Sequence, residues 1–124
     1  MARILVIDDE ELARFTVASL LESAGHEVVE APNGQVGLSL QNAQLFDLVV
    51  TDIIMPKKEG VETIIKLKRD HPDLKIIAIS GGGRTRNLDF LKLAKQFGAD
   101  KILAKPFTEK ELMEEVNACL KVPV

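Results

Sequence analysis

Polar residues with reactive side chains stand at the ends of short apolar runs in this 124-residue chain. Ile4-Leu5-Val6-Ile7 ends in Asp8 and Asp9, and Leu48-Val49-Val50-Thr51 ends in Asp52. Ile76-Ile77-Ala78-Ile79 ends in Ser80, and Ile102-Leu103-Ala104 ends in Lys105. Each residue alone has an ordinary reading: an Asp caps a turn or a helix, a Ser before glycines forms a turn, and a Lys before Pro is solvated. As a set they have a specific chemistry. Three carboxylates brought together repel and raise one another's pKa, so something positive must offset them. No His and Cys spacing suits zinc or iron. All-oxygen donors favour a hard cation, and a few carboxylates plus water suit Mg²⁺. Lys105 adds a second positive charge. Such a pocket is built to receive a phosphoryl group, whose oxygens a metal and an ammonium neutralise. One carboxylate can be the nucleophile, giving an acyl phosphate, and the Ser80 hydroxyl can donate to a phosphoryl oxygen.

The elements that carry these residues follow from periodicity. The run through Val49, Val50, Ile53 and Ile54 has no period-two alternation, which predicts a strand covered on both faces, the habit of a parallel sheet. Pro56 then turns the chain out of the strand and leaves Asp52 at its carboxyl end. Ile4–Ile7, Val28-Val29, Ile76–Ile79 and Ile102–Ala104 read as the other strands. Glu11 to Ala24 reads as a helix with Val17, Leu20, Leu21 and Ala24 on one face, stopped by Gly25. Further helices are expected over Val36–Ala43, over Val61–Arg69 with Val61, Ile64, Ile65 and Lys68 on one side, and over Asn87–Phe97. Thr108 and Glu111 form a capping box for a last helix. Strand and helix alternate five times. That predicts an α/β sandwich of three layers, with right-handed crossovers and helices on both faces of a parallel sheet. In a parallel sheet all the carboxyl ends share one edge, where open α/β sheets bind ligands.

Composition bounds the function. At 124 residues with 46% apolar and 28% charged residues, the chain reads as one globular domain, 1–124. A net charge of −3 gives no electrostatic footprint for nucleic acid. No apolar run approaches the ~20 residues that span a membrane. Met1-Ala2-Arg3 leads straight into a strand, so a secretion signal is not expected and a cytoplasmic location is the default. Cys119 is the single cysteine and reads as a small buried residue. His26 and His71 lie beside helix-ending turns and read as solvated. Gly81-Gly82-Gly83-Arg84-Thr85-Arg86 lacks the lysine and hydroxyl spacing of a nucleotide phosphate loop.

Several stretches together carry a resemblance: Val6-Ile7-Asp8-Asp9-Glu10, Asp47–Asp52 with Met55-Pro56 and Gly60, Ser80-Gly81, Gly98-Ala99-Asp100, and Lys105-Pro106-Phe107. Over essentially its whole length the chain resembles the receiver domain of two-component response regulators. The resemblance implies a flavodoxin-like, five-stranded sheet in the order 2-1-3-4-5. It implies that Asp52 accepts phosphate from a histidine kinase or a histidine phosphotransfer protein. Asp8, Asp9, Asp52 and the backbone carbonyl of Ile54 would hold Mg²⁺, Lys105 would pair with the phosphate, and Ser80 would be the switch hydroxyl. Lys105-Pro106 would be a cis peptide, which is cheap only before proline. Receivers commonly carry a switch aromatic three residues before the lysine; here that position is Ile102. Leu12 and Phe15 lie off the core stripe of the first helix, where receivers dock their phosphodonors.

The expected role is therefore a phosphoacceptor switch that promotes only its own phosphorylation and dephosphorylation. No output domain follows, so its message would pass by contact with an unknown downstream protein. Four alternatives share the architecture. A flavin carrier would lack Trp and Tyr to stack on the ring. An aspartyl phosphatase normally has a second acid two residues after the nucleophile, where Ile54 stands. A receiver-like scaffold that is never phosphorylated, or a receiver cut from a larger regulator, completes the set.

Overall fold

The computed structural model describes residues 2–53, 59–80, 92, 94–105 and 107–120, with side chains from 61 onward in the second of these segments. Five strands, β1 (Arg3–Ile7), β2 (Glu27–Ala31), β3 (Leu48–Asp52), β4 (Lys75–Ser80) and β5 (Lys101–Ala104), form one sheet in the order β2-β1-β3-β4-β5. All four strand pairings are parallel. Helices α1 (Glu11–Ser23), α2 (Gly34–Gln44), α3 (Glu59–Asp70) and α4 (Glu109–Leu120) connect and cover it. Residues 92 and 94–96 are also helical; the rest of the helix expected over Asn87–Phe97, apart from Phe97 itself, lies outside the described residues.

The layers follow from side-chain alternation along buried strands. Leu5 and Ile7 of β1 point into one apolar cluster with Val49, Ile76, Ile64, Leu67 and Ala94. Ile4 and Val6 point into the other with Leu48, Val50, Val17, Leu21, Leu112 and Val116. Thus α1 and α4 cover one face, and α3 with the 94–96 segment covers the other. Every residue of β3 is buried, as a strand sandwiched between two helical layers must be.

The helix ends are set locally. Thr108 Oγ1 accepts from the Glu111 N–H at 3.0 Å, while the Thr108 N–H donates to Glu111 Oε1 at 2.8 Å, the reciprocal capping box expected there. The Asn33 side chain accepts from the Val36 N–H at 2.9 Å and opens α2. Gly25 leaves α1 with φ +94°, a conformation that costs a side chain dearly.

Three expectations need correction. β2 is longer than Val28-Val29, because all five of its residues pair with β1 through the backbone, and the exposed Glu27 and Glu30 pair with Arg3 and Arg14. The buried stripe of α3 is Thr63, Ile64 and Leu67; Ile65 is exposed, since at ~100° per residue it turns well past a stripe centred between Thr63 and Ile64. On α1 the buried set is Val17, Ala18 and Leu21, with Ala24 outside. The histidines have partners too. His26 Nδ1 accepts from the Ala2 N–H at 3.2 Å, and His71 Nε2 lies 2.9 Å from Asn42 Oδ1.

α2 crosses β1 at Gly37, where a Cβ would meet Ile7 Cδ1 and lie 2.9 Å from Ile7 Cγ1. Ile7 is fully buried and cannot yield cheaply. Gly37→Ala should therefore destabilise the fold by ~1 kcal/mol in urea, overpacking outweighing the helix-propensity gain. Ile7→Val added to Gly37→Ala removes the offending methyl and should recover most of the loss. A more stable single variant would contradict this packing.

Candidate functional site

Ladder hydrogen bonds continue past the strand ends and deliver the polar residues to one rim. The Asp8 N–H donates to Ala31 O at 3.1 Å, extending β1 along β2. The Ile53 N–H donates to Ile79 O at 2.9 Å, and the Lys105 N–H to Ser80 O at 2.8 Å. Asp52 pairs in register with Ile79, and Ser80 with Ala104. Each residue is thus fixed by backbone pairing before its side chain makes any contact.

The side chains then converge. Lys105 Nζ lies 3.3 Å from Asp52 Oδ2 and 3.7 Å from Asp8 Oδ2. One ammonium is shared between two carboxylates whose residues are 8% and 5% exposed. Lys105 itself is half-buried, not solvated as a lysine before proline commonly is. Asp8 Oδ1 also accepts from the Glu10 N–H at 2.9 Å. Burial nevertheless wins at Asp8 and pushes its pKa above the ordinary aspartate value. The Glu10 N–H and Lys105 pull it down, and the charges of Asp9 and Glu10 add to the rise.

Ser80 is 1% exposed, and its Oγ has no hydrogen-bond partner among the described residues. Buried hydroxyls are nearly always bonded, so this one is a donor in reserve at the rim. Asp9 is exposed beside Asp8. Among the described residues no three His, Cys, Asp or Glu side chains are drawn together as a metal group. Two adjacent buried carboxylates against one ammonium still leave a net negative charge, and their oxygens are the donors a hard cation takes. The oxygen donors of Asp8 and Asp52 therefore fit a hard cation such as Mg²⁺.

Ile102 is half-buried and packs against the cluster of Leu5 and Ile7. Leu12 and Phe15 are 74% and 59% exposed on α1. Ile54, the Gly81–Arg86 stretch and Pro106 lie outside the described residues. Cys119 is buried, as expected of a small core residue, and burial raises its thiol pKa. Among the described residues no helix is long and apolar enough to cross a membrane.

Sequence reasoning missed Arg14. Its Nη1 donates to the Asp8 carbonyl at 2.9 Å, and its Nε meets Glu30 Oε1 at 3.0 Å. The available signal was faint: one basic residue a helical turn after the acidic run Asp8–Glu11.

A parallel sheet in this order, with acids and a lysine at its carboxyl rim, defines the flavodoxin-like fold of receiver domains. Residues 4–117 match the response regulator receiver domain, and the chain belongs to that family. It is 33% identical over 120 residues to Protein PilH of Pseudomonas aeruginosa, covering 97% of this chain and 98% of that one. It is 32% identical over 121 residues to the transcriptional regulatory protein CpxR of Escherichia coli, covering 98% of this chain. It spans about half the length of CpxR, 50%. The crystal structure of the receiver domain of NtrX from Brucella abortus superposes with a TM-score of 0.89 at 31% identity, covering 97% of this chain and 99% of that one.

The raised Asp8 pKa has a testable sign. A carboxyl held above its unfolded value of 3.8 binds its proton more tightly in the folded state, so it subtracts stability as pH rises from there through its folded pKa. Asp8→Asn should raise the urea midpoint at pH 7 with m unchanged. The gain should shrink on acidification and vanish below the unfolded value. An equal or lower midpoint at pH 7 would contradict the account.

Proposed function

We propose that this chain is the phosphoacceptor switch of a two-component relay, with Asp52 as the acceptor. The observation that carries the reading is the Lys105 ammonium beside two buried carboxylates, within a receiver fold. A carboxylate oxygen of Asp52 attacks the phosphorus of a phosphohistidine on a histidine kinase or histidine phosphotransfer protein. The new P–O bond forms as the P–N bond breaks, and the imidazole keeps the electron pair. Asp8, Asp9, Asp52 and the Ile54 carbonyl would hold Mg²⁺, which when bound offsets charge on the phosphoryl oxygens. Lys105 is close enough to move from Asp8 toward a phosphoryl oxygen while staying beside Asp52. The unpartnered Ser80 hydroxyl then has an acceptor.

Phosphorylation adds about −1.5 to −2 charge to this rim. It biases an existing equilibrium only through its differential contacts with the two states. The output is a protein–protein contact with a downstream partner, in the cytoplasm, with Leu12 and Phe15 as the docking patch for the phosphodonor. The chain acts on no substrate other than its own acceptor. PilH, nearly coextensive with this chain, supports a single-domain switch, 1–124. The twofold length of CpxR favours a second reading, in which the same receiver belongs to a larger regulator. A similar segment occupies 13% of the sensor kinase CckA of Brucella abortus, in keeping with a place beside histidine kinases.

Acetyl phosphate with Mg²⁺ should add one phosphoryl mass to the wild type and none to Asp52→Asn. In the same assay Phe15→Ala should match the wild type with acetyl phosphate but react at least about fivefold more slowly with a phosphohistidine protein, as loss of an exposed aromatic anchor would cost. Equal labelling of Asp52→Asn would overturn the acceptor, and an unchanged protein-donor rate would overturn the docking patch.

A further inference from the structure

Arg14 is a cation near the rim that the proposed phosphoryl chemistry does not use. It lies on the first turn of α1, and its side chain is only 14% exposed. Its Nε engages Glu30 of β2 at 3.0 Å, and its Nη1 reaches back to the Asp8 carbonyl at 2.9 Å. Glu30 pairs in register with Val6, and the next residue, Ala31, accepts the Asp8 N–H. Glu30, Arg14 and Asp8 thus close a loop between β2, α1 and the end of β1.

Every polar atom of Asp8 is then held. Its N–H is bonded to Ala31, its carbonyl to Arg14, its Oδ1 to the Glu10 N–H, and its Oδ2 faces Lys105. A peptide group is planar, so fixing the Asp8 carbonyl also fixes the N and Cα of Asp9. No hydrogen bond or ion pair among the described residues holds the Asp9 carboxylate itself. Its placement relative to Asp52 therefore depends on that peptide plane. The guanidinium is suited to the task because its planar fork serves two acceptors in fixed directions, whereas an ammonium is a single point donor.

We propose that Arg14, held by Glu30, is a positioning residue for the cation site, fixing the Asp8–Asp9 peptide and with it the point from which the Asp9 side chain leaves the backbone next to Asp8. This deepens the proposed function and rests on its assignment of Mg²⁺ to these carboxylates. Electrostatics and positioning predict opposite signs. Removing a positive charge next to an acidic cluster would by Coulomb's law tighten cation binding. Removing a positioning contact weakens it, and outer partners of metal ligands are typically worth 10–100-fold in affinity.

The test is an MgCl₂ titration of the unphosphorylated protein, followed by backbone amide shifts of Asp9 and its neighbours, with no phosphodonor present. Arg14→Met should raise the Mg²⁺ dissociation constant about tenfold or more. Arg14→Lys, which keeps the charge but not the fork, should recover only part of that. Wild-type or tighter affinity in Arg14→Met, or wild-type affinity in Arg14→Lys, would overturn the proposal, and Arg14→Lys, which leaves the charge unchanged, decides if Arg14→Met does not fold. A wild type with no saturable Mg²⁺ shift would instead remove the metal assignment itself, and this inference with it.

Discussion

The shared ammonium of Lys105 is the constraint on which the rest of the rim depends. Two carboxylates from neighbouring strands cannot both stay ionised and buried without a counter-charge. Among the described residues one ammonium, at the end of β5, lies near both: 3.3 Å from Asp52 and 3.7 Å from Asp8. The arrangement leaves Asp8 with a pKa above the ordinary aspartate value, because burial outweighs the pull of the Glu10 N–H and of Lys105. It can persist only because the sheet beneath it is over-determined. β1, β3 and β4 are buried between two apolar layers, and their ladders run past the strand ends to Asp8, Ile53 and Lys105. The stability of the core is what lets the rim remain electrostatically unsatisfied.

An unsatisfied rim has a use in a switch. In the proposed reading an incoming dianion would find an ammonium shared between two acids and a buried hydroxyl with no partner among the described residues. Both would gain more from the modified state than from the unmodified one, which is the condition for a modification to shift an equilibrium. Ile102 stands where receivers commonly place an aromatic, and it already packs in the core. A branched aliphatic side chain has no ring to swing, so the response of this protein would have to be carried by other elements.

Much of this was legible in the sequence because each part had a local cause. Continuous apolar runs marked strands covered on both faces, and the polar residue closing each run marked the rim. Thr108 and Glu111 announced their cap through spacing alone. What was not legible depended on through-space geometry. The face of α3 was misjudged because Ile64 and Ile65 are equally apolar, and only packing against the sheet chooses Ile64. β2 was cut short because its ends are held by backbone pairing to β1 and not by apolar side chains. Arg14 was overlooked because its partners, Asp8 and Glu30, are brought to it by the β2-β1 pairing, which no local pattern reveals.

The central claim is most directly tested by following the Asp8 side-chain carboxyl by ¹³C NMR against pH, without divalent cations, in the wild type and in Lys105→Met. The account predicts a wild-type midpoint above that of an ordinary aspartate and a further rise when the ammonium is removed. An ordinary or lowered wild-type midpoint, or one indifferent to Lys105, would contradict it.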